Sequence, residues 1–278
     1  MTLLHASTFR GITDLMHAAV GLSFPDVKLP LVSSRLESRI QRLGLESFED
    51  YLDLIASDAD GGEFQMAVDL LTTNETYFFR EPAHFDLLER EIRARRPLAW
   101  SAWSAASSFG DEAYSIAMLL ADLQRGHGLG SQWSVLGTDI SDRVLRSASQ
   151  AVYPQERLRC VSPERLKRHC LRGEGESEGL VQMQDHLRRR VSFGQLNLSQ
   201  PIEPLGPFDA VFLRNVLIYF DPRTKREVVD RVLHTLRPGG LFFIGTAEGR
   251  VACGTALEPL APGVFRKVGG TPAVTAAT

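Results

Sequence analysis

The fold is decided by residues 208–220, which read FDAVFLRNVLIYF. The first half is an apolar, β-branched and aromatic run, typical of a strand buried in a parallel sheet. The run then gives way to Arg214, Asn215 and, a few residues later, Tyr219. Ligands of open α/β sheets bind outside the carboxyl ends of the strands. We therefore expect these three side chains to face a ligand.

The flanking sequence predicts an α/β class with a doubly wound sheet. Asp221 is a suitable N-cap and Pro222 a suitable first residue for a helix that runs to the Arg-Pro-Gly-Gly of residues 237–240. Strand-like and helical segments alternate before and after it, which is typical of βαβ units. The other expected elements are strands at 98–104, 133–137, 190–193 and 241–245 and helices at 112–123 and from Ser141.

Two domains are expected. Residues 1–90 show helical spacing without a convincing strand and predict an all-helical domain with a linker. Residues 91–278 carry the α/β pattern. An insert at about 155–192, rich in Arg and Glu, interrupts this pattern and predicts a small subdomain with a tight glycine-dependent turn. The small, uncharged residues at about 269–278 predict a disordered tail.

Composition excludes several classes of protein. The net charge of −3 gives no general case for nucleic-acid binding. Cys160, Cys170 and Cys253 are few and widely spaced, so neither a disulfide framework nor a metal site is expected. No apolar run approaches the roughly 20 residues of a membrane span, and the first residues lack the pattern of a signal peptide. A reduced, cytoplasmic setting without membrane insertion is expected.

Three acidic residues suggest a nucleoside ligand with a cationic group. Asp111 and Glu112 follow a small-residue loop and would suit an ammonium, although they also suit the dipole of the helix they begin. Asp139 ends the next strand, where a carboxylate can accept both ribose hydroxyls. It could instead cap the following helix, but Ser141 is better placed for that.

Two further segments add polar groups near the same crevice. Asn74, Thr76 and Arg80 would reach a ligand if their linker crosses the mouth of the crevice. Asn197 and Leu198 follow the strand at 190–193, and would therefore lie close to the ends of the other strands.

The chain resembles the CheR-type chemotaxis receptor methyltransferases. The resemblance is carried, in order, by residues 74–81 (NETYFFRE), 103–117 (WSAASSFGDEAYSIA), 138–140 (TDI) and 208–221. It implies a protein-glutamate O-methyltransferase that uses S-adenosylmethionine and gives glutamate methyl esters on chemoreceptors. It also implies an N-terminal helical domain, a doubly wound Rossmann-like catalytic domain and a small inserted β-subdomain.

The resemblance also implies roles for individual residues. The cofactor would be bound by Asn74, Thr76, Arg80, Glu112, Asp139, Asn197, Leu198, Arg214 and Asn215. Tyr219 and Arg80 match the residues proposed to lie near the reacting methyl group. Departures from the family pattern are local and fall on Phe109, Asp111, Ala113 and the segment 245–248, which ends in Glu248.

The expected partners are the cytoplasmic helical domains of transmembrane chemoreceptors. Arg35, Arg39 and Arg42 would form a basic face suited to an acidic helix, or merely a solvated surface. The spacing of Gly173, Gly175 and Gly179 resembles members whose β-subdomain binds a peptide at the receptor C-terminus. Two other functions stay open: a methyltransferase with a small-molecule substrate, and a cofactor-binding scaffold without turnover.

Overall fold

The computed structural model of the chain describes residues 3–58, 61–248 and 257–269. Cys253 and the tail at 270–278 lie outside these ranges. The N-terminal region is helical. Its helices are α1 (Ala6–Val20), α2 (Leu29–Leu43), α3 (Phe48–Ser57) and α4 (Gly62–Leu71).

Local signals set the ends of these helices. Ser47 and Asp50 form a capping box at the start of α3, in which each side chain accepts a hydrogen bond from the backbone N–H of the other residue. Gly44 ends α2 with a φ of 71°, a left-handed conformation that favours glycine. The buried faces of α1 to α4 form a hydrophobic core of their own, which includes Ile12, Val32 and Tyr51.

The rest of the described chain alternates strands and helices. The strands are β1 (Ala99–Ala105), β2 (Gln132–Asp139), β3 (Val152–Pro154), β4 (Cys170–Arg172), β5 (Leu180–Met183), β6 (Val191–Gln195), β7 (Phe208–Leu213), β8 (Leu236–Ile244), β9 (Leu257–Ala261) and β10 (Val264–Lys267). The helices are α5 (Pro82–Arg95), α6 (Asp111–Arg125), α7 (Asp142–Gln150), α8 (Pro163–His169), α9 (Asp185–Arg188) and α10 (Pro222–His234).

Seven strands form one sheet in the order β6-β2-β1-β7-β8-β10-β9. The neighbouring strands are parallel except for β10, which runs antiparallel to both of its neighbours. The chain moves from β1 to β2 on one side and later to β7 on the other, so the strand order reverses beside β1. A crevice at the carboxyl ends of the strands is expected at such a point. The predicted doubly wound, Rossmann-like class is confirmed.

Alternating side chains of the sheet pack into two hydrophobic layers. One face, with Ala102, Phe212 and Phe243, is covered by α5 and α6, and the Phe212 and Phe243 rings stack at 4.2 Å. The other face, with Trp103 and Phe242, is covered by α10. Both faces are therefore buried, as the continuous apolar strands predicted.

Two element boundaries differ from those expected. The helix α5, which the sequence grouped with the helical region up to residue 90, packs its Leu88 and Ile92 on the sheet. Residues 237–240 were expected to be a turn, but they lie within β8. The pairing of β7 with β8 shifts register between Phe208 and Ala210, and Gly239 takes a φ of 75°. The Pro-Gly-Gly sequence is therefore accommodated as an irregularity within strand β8.

The insert contains a small antiparallel sheet in the order β3-β5-β4. Gly173, Gly175 and Gly179 lie in the connection between β4 and β5. A Cβ on Gly173 would lie 2.0 Å from the carbonyl oxygen of Ser177, and Gly175 and Gly179 have φ values of 60° and 83°. The turn therefore depends on glycine, as the sequence predicted. No helix within the described ranges is long and apolar enough to cross a bilayer.

Candidate active site

A deep cleft opens at the carboxyl ends of β1, β2 and β7, where the strand order reverses. Its empty volume, including the open mouth, is about 990 Å³. All nine residues that the sequence proposed for the cofactor lie along it, together with Tyr219. They are Asn74, Thr76, Arg80, Glu112, Asp139, Asn197, Leu198, Arg214 and Asn215.

The linker between α4 and α5 forms one wall of the cleft. The carbonyl oxygen of Asn74 accepts a hydrogen bond from Ser108 Oγ at 3.1 Å, which ties the linker to the loop after β1. Arg80 Nη1 donates to the carbonyl of Glu75 at 3.1 Å, and its guanidinium lies 5.9 Å from the centre of the Tyr77 ring. These contacts place Arg80 at the cleft, where it forms no salt bridge with the described residues.

The loop after β1 is strained. Ala106 and Ser108 have φ values of 65° and 51°, although neither is glycine. Ser107 N–H donates to the carbonyl of Thr138 at 2.8 Å, which fixes the loop against the end of β2. Non-glycine residues with positive φ are costly and concentrate at functional sites. Sequence patterns gave no sign of this strain.

Asp111 and Glu112 point to different places. Glu112 lines the cleft, where its Oε1 accepts from Ser104 Oγ at 2.6 Å and its Oε2 lies 3.1 Å from Arg214 Nη1. Burial raises the pKa of Glu112, and the positive charge of Arg214 opposes that shift. Asp111 instead faces Arg157 of the insert and is fully buried. The expectation that Asp111 also serves a ligand ammonium is therefore wrong.

Asp139 accepts two backbone hydrogen bonds. Its Oδ2 accepts from Ser108 N–H at 2.8 Å and its Oδ1 from Ser141 N–H at 3.0 Å. Burial raises its pKa, and these hydrogen bonds oppose the shift. A carboxylate has about four lone-pair positions, so each oxygen can still accept a hydrogen bond from a ligand. Ser141 caps α7 by accepting from Val144 N–H, as the sequence predicted.

Asn197 and Leu198 form the wall between the sheet and the helical region. Asn197 Nδ2 donates to the carbonyl of Ala19 at 2.8 Å, and its Oδ1 accepts from Ser199 N–H at 3.0 Å. Both ends of the amide are therefore engaged, and Asn197 ties the end of α1 to the cleft. Leu198 is 7% exposed and packs in the apolar layer beneath α10.

Arg214 is a buried cation at the base of the cleft. It contacts the carboxylates of Glu112 and Glu81 at 3.1 and 3.5 Å, donates to the carbonyl of Arg80, and lies 5.8 Å from the Phe85 ring centre. Its Nε and the hydroxyl of Ser107 are buried without a hydrogen-bond partner among the described residues. Unsatisfied polar atoms beside a cleft fit a site that receives a polar ligand.

The turn after β7 is held by a residue whose role the sequence left open. Glu248 accepts from the N–H groups of Leu217 and Gly245, each at 2.7 Å. It thereby fixes the segment that carries Asn215, whose φ is 59°, and Tyr219. The Tyr219 ring packs against the helical core, so this side chain joins the two regions of the chain.

Comparison with known proteins shows the family to which the chain belongs. The sequence model described as "CheR methyltransferase, all-alpha domain" matches residues 7–72, and that described as "CheR methyltransferase, SAM binding domain" matches residues 74–256. The chain belongs to the CheR methyltransferase family. The predicted resemblance is confirmed, and the second match makes the cleft part of a domain that binds S-adenosylmethionine.

Curated relatives cover most of this CheR chain. The chemotaxis protein methyltransferase of Escherichia coli K12 is 43% identical over 241 residues, which are 86% of this chain and 83% of that protein. Chemotaxis protein methyltransferase 2 of Pseudomonas aeruginosa is 40% identical over 251 residues, 87% of this chain and 86% of that protein. The Vibrio parahaemolyticus protein is 35% identical over 269 residues, 94% and 96% of the two chains.

The residues predicted to contact a receptor lie away from the cleft floor. Arg35 donates to the carbonyls of Leu71 and Thr72 at 2.7 and 3.2 Å, and Arg39 forms a salt bridge with Glu63. Of the three, only Arg42 is exposed, whereas Arg35 and Arg39 are half-buried. The three arginines therefore do not form one free basic face, because two of them stabilise the helical region. The three glycines belong to the insert.

The described ranges contain no cluster of three or more His, Cys, Asp or Glu side chains that could hold a metal ion.

Proposed function

We propose that this CheR protein transfers a methyl group from S-adenosylmethionine to glutamate side chains of chemoreceptors. The product would be the glutamate methyl ester used in chemotactic adaptation. The observation that supports this most strongly is the convergence of all nine suggested cofactor residues on one cleft, in a chain related to chemotaxis methyltransferases. The protein is then a protein-glutamate O-methyltransferase.

The cleft suits each part of the cofactor. Glu112 supplies a carboxylate for the ammonium group, next to a buried Arg214 that suits the carboxylate. Asp139 would accept hydrogen bonds from the ribose hydroxyls with the lone pairs that its backbone contacts leave free. The backbone of Asn197 and the side chain of Leu198 would lie along the adenine.

The residues near the mouth would orient the substrate. When bound, S-adenosylmethionine would supply an electrophilic methyl group on its sulfonium. The glutamate oxygen would attack that methyl carbon in line, forming the ester C–O bond as the C–S bond breaks and S-adenosylhomocysteine leaves. An ionised carboxylate needs no general base. Arg80 and Tyr219 would hold the carboxylate by hydrogen bonds. Alignment of this kind contributes up to about 7–11 kcal/mol in the best intramolecular reactions.

The receptor would be recognised at two places. Arg42 is exposed on α2 and can attract an acidic receptor helix. The three-stranded sheet of the insert has two outer strands, β3 and β4, to which an extended receptor tail could add as a further strand. Such docking would raise the local concentration of receptor glutamates.

The test is transfer of labelled methyl from S-adenosylmethionine to membranes that contain chemoreceptors. We expect label on the receptor that is released by base, since carboxyl methyl esters are base-labile. Cofactor binding without any transfer would favour a scaffold, and label on a small molecule would favour the other methyltransferase function. Parallel assays with tailed and tail-less receptors would show whether the insert contributes to docking.

A further inference from the structure

One arginine of the inserted subdomain contacts the residues that form the cleft wall. Arg157 lies on a short 3-10 turn, Gln155–Leu158, and its side chain is 24% exposed. Its Nε donates to Asp111 Oδ1 at 3.1 Å and its Nη2 to Asp111 Oδ2 at 2.8 Å. A two-point contact fixes the orientation of a guanidinium as well as its position. The carboxylate belongs to the first turn of α6, directly after the strained loop.

The same guanidinium contacts two segments that line the cleft, the linker between α4 and α5 and the loop after β1. Its Nη2 also lies within 3.4 Å of the carbonyl oxygen of Thr76, to which it donates a long hydrogen bond. Its carbon Cζ lies 4.7 Å from the centre of the Phe109 ring. Thr76 lines the cleft, and Phe109 directly follows Ser108, which lines it too. One side chain of the insert thus contacts the linker and the loop together.

Tyr153, on strand β3, packs closely against the same loop. Tyr153 donates its hydroxyl hydrogen to the carbonyl of Phe109 at 2.8 Å. Gly110 has a φ of 85°, and a Cβ there would lie 3.1 Å from the Tyr153 hydroxyl and 2.9 Å from the ring of Phe193. Because the loop packs this closely, a displacement of the insert displaces the loop.

We propose that Arg157 is a positioning residue for the cofactor. It holds Thr76 and the loop at 106–110 in the arrangement that binds S-adenosylmethionine, so the inserted subdomain sets the affinity of the cleft. Arg157 is not among the described residues that line the cleft, and it acts through Asp111 and Thr76. The proposal rests on the proposed function, because it takes S-adenosylmethionine as the ligand.

The test is calorimetric titration of S-adenosylmethionine into the full-length Arg157→Ala variant. The substitution removes charge-assisted hydrogen bonds and a stacking contact, so we expect the Kd to rise about tenfold or more. The KM for S-adenosylmethionine should rise with it. The kcat at saturating cofactor should stay within about twofold of wild type, because Arg157 does not line the cleft in which transfer would occur. A purely structural role would lower the melting temperature without this split.

Matched variants separate the contact from the charge. Arg159→Ala removes the same charge from an exposed position two residues away, and should leave the Kd unchanged. Arg157→Lys keeps the charge but lacks the guanidinium that makes two hydrogen bonds to Asp111. Its Kd should therefore lie between those of wild type and Arg157→Ala. Asp111→Asn should weaken binding as well, and should add little in the double variant because both changes remove one contact.

The outcomes distinguish the two proposals. If wild type binds S-adenosylmethionine and Arg157→Ala binds it equally well, the role of Arg157 is wrong and the proposed function stands. An equal loss in Arg159→Ala would also overturn the role, since charge alone would explain it. If wild type does not bind the cofactor, the proposed function fails and this inference fails with it. If Arg157→Ala does not fold, Arg157→Lys and Asp111→Asn decide in the same way.

Discussion

Arg214 and Glu112 form a salt bridge of 3.1 Å inside the cleft. Arg214 follows β7 and Glu112 lies in the first turn of α6, and their side chains are only 2% and 15% exposed. Burial raises the pKa of Glu112, and the charge of Arg214 counteracts it. Arg214 therefore favours the ionised form of Glu112 at a buried position that disfavours it, and this side chain can face a cationic ligand.

We predict that Glu112→Gln weakens binding of S-adenosylmethionine by at least about tenfold, because an ion pair with the ammonium becomes a hydrogen bond from the ammonium to a neutral amide oxygen. Calorimetric titration measures the effect. Glu178→Gln, an exposed substitution in the insert, is the control for the change in net charge. An unchanged dissociation constant for Glu112→Gln would mean that Glu112 serves Arg214 alone.

We predict that Asp139→Asn also weakens binding by more than about tenfold, through loss of charge-assisted bonds to the ribose. Asn is the better probe than Ala, since its single side-chain oxygen can still accept from the N–H group of Ser108 or of Ser141. Asp139→Ala should lose more stability in thermal unfolding, because it leaves both groups unsatisfied. Full affinity in a folded Asp139→Asn protein would refute the ribose assignment.

The part of the sheet around β7 could be predicted because β7 is mostly apolar and the following helix α10 has a clear N-cap in Asp221. Strand β7 and the helix that begins at Pro222 follow directly from residues 208–222. The beginning of β8 could not be predicted, because Pro-Gly-Gly usually punctuates a chain. It pairs here only because β7 lies beside it, and that is a tertiary effect. The packing of α5 on the sheet is likewise invisible in its helical period.

The site was harder to predict than the fold. Sequence spacing identified the pair Asp111 and Glu112 but not which carboxylate faces the cleft. Asp111 faces away from the cleft because it pairs with Arg157 of the insert, which is distant in sequence. Arg35 and Arg39 have the spacing of a basic face, yet their partners lie on a different helix and its following turn. Glu248 acts on backbone N–H groups, so no side-chain pattern reveals it.

We predict that Arg39→Ala lowers stability, whereas Arg42→Ala weakens the recognition of the receptor. Arg39 shares Glu63 with the Tyr51 hydroxyl, so its loss should lower the free energy of unfolding by about 1–3 kcal/mol. Arg42→Ala should change stability by less than about 0.5 kcal/mol. It should instead raise the KM for receptor, most clearly below about 0.1 M salt where exposed charges are poorly screened. Denaturant unfolding and methylation kinetics check both; an unaltered receptor KM would remove Arg42 from the docking surface.

We predict that the stability contributed by Asp122 depends on pH. Burial raises the pKa of Asp122, but hydrogen bonds from His169, Arg165 and Arg168 outweigh it and hold that pKa well below its ordinary value. A lowered pKa stabilises the fold at pH values above that of the unfolded carboxyl, about 3.9. Asp122→Asn should therefore lower the free energy of unfolding by about 1–3 kcal/mol at neutral pH.

Urea unfolding of wild type and Asp122→Asn at several pH values measures this dependence. The difference between them should shrink as the pH falls below about 3.9, where the unfolded chain takes up the proton. A difference that grew below about pH 3.9 would contradict the assignment. Asp185→Asn is a control, because that carboxylate is 68% exposed in its salt bridges.

We predict that Tyr219→Phe lowers kcat and leaves the affinity for S-adenosylmethionine nearly unchanged. The ring packs against the helical core and its backbone carbonyl accepts from Ser23 N–H at 2.8 Å, and Phe keeps both contacts. Only the hydroxyl is lost, and the proposed mechanism assigns it to the receptor carboxylate. Loss of one hydrogen bond to a charged group would slow transfer by about ten- to a hundredfold. Single-turnover rates with receptor at saturating cofactor isolate this step. Wild-type rates would mean that Tyr219 only joins the helical region to the cleft. A lower affinity for S-adenosylmethionine with a normal transfer rate would mean that its hydroxyl contacts the adenosine.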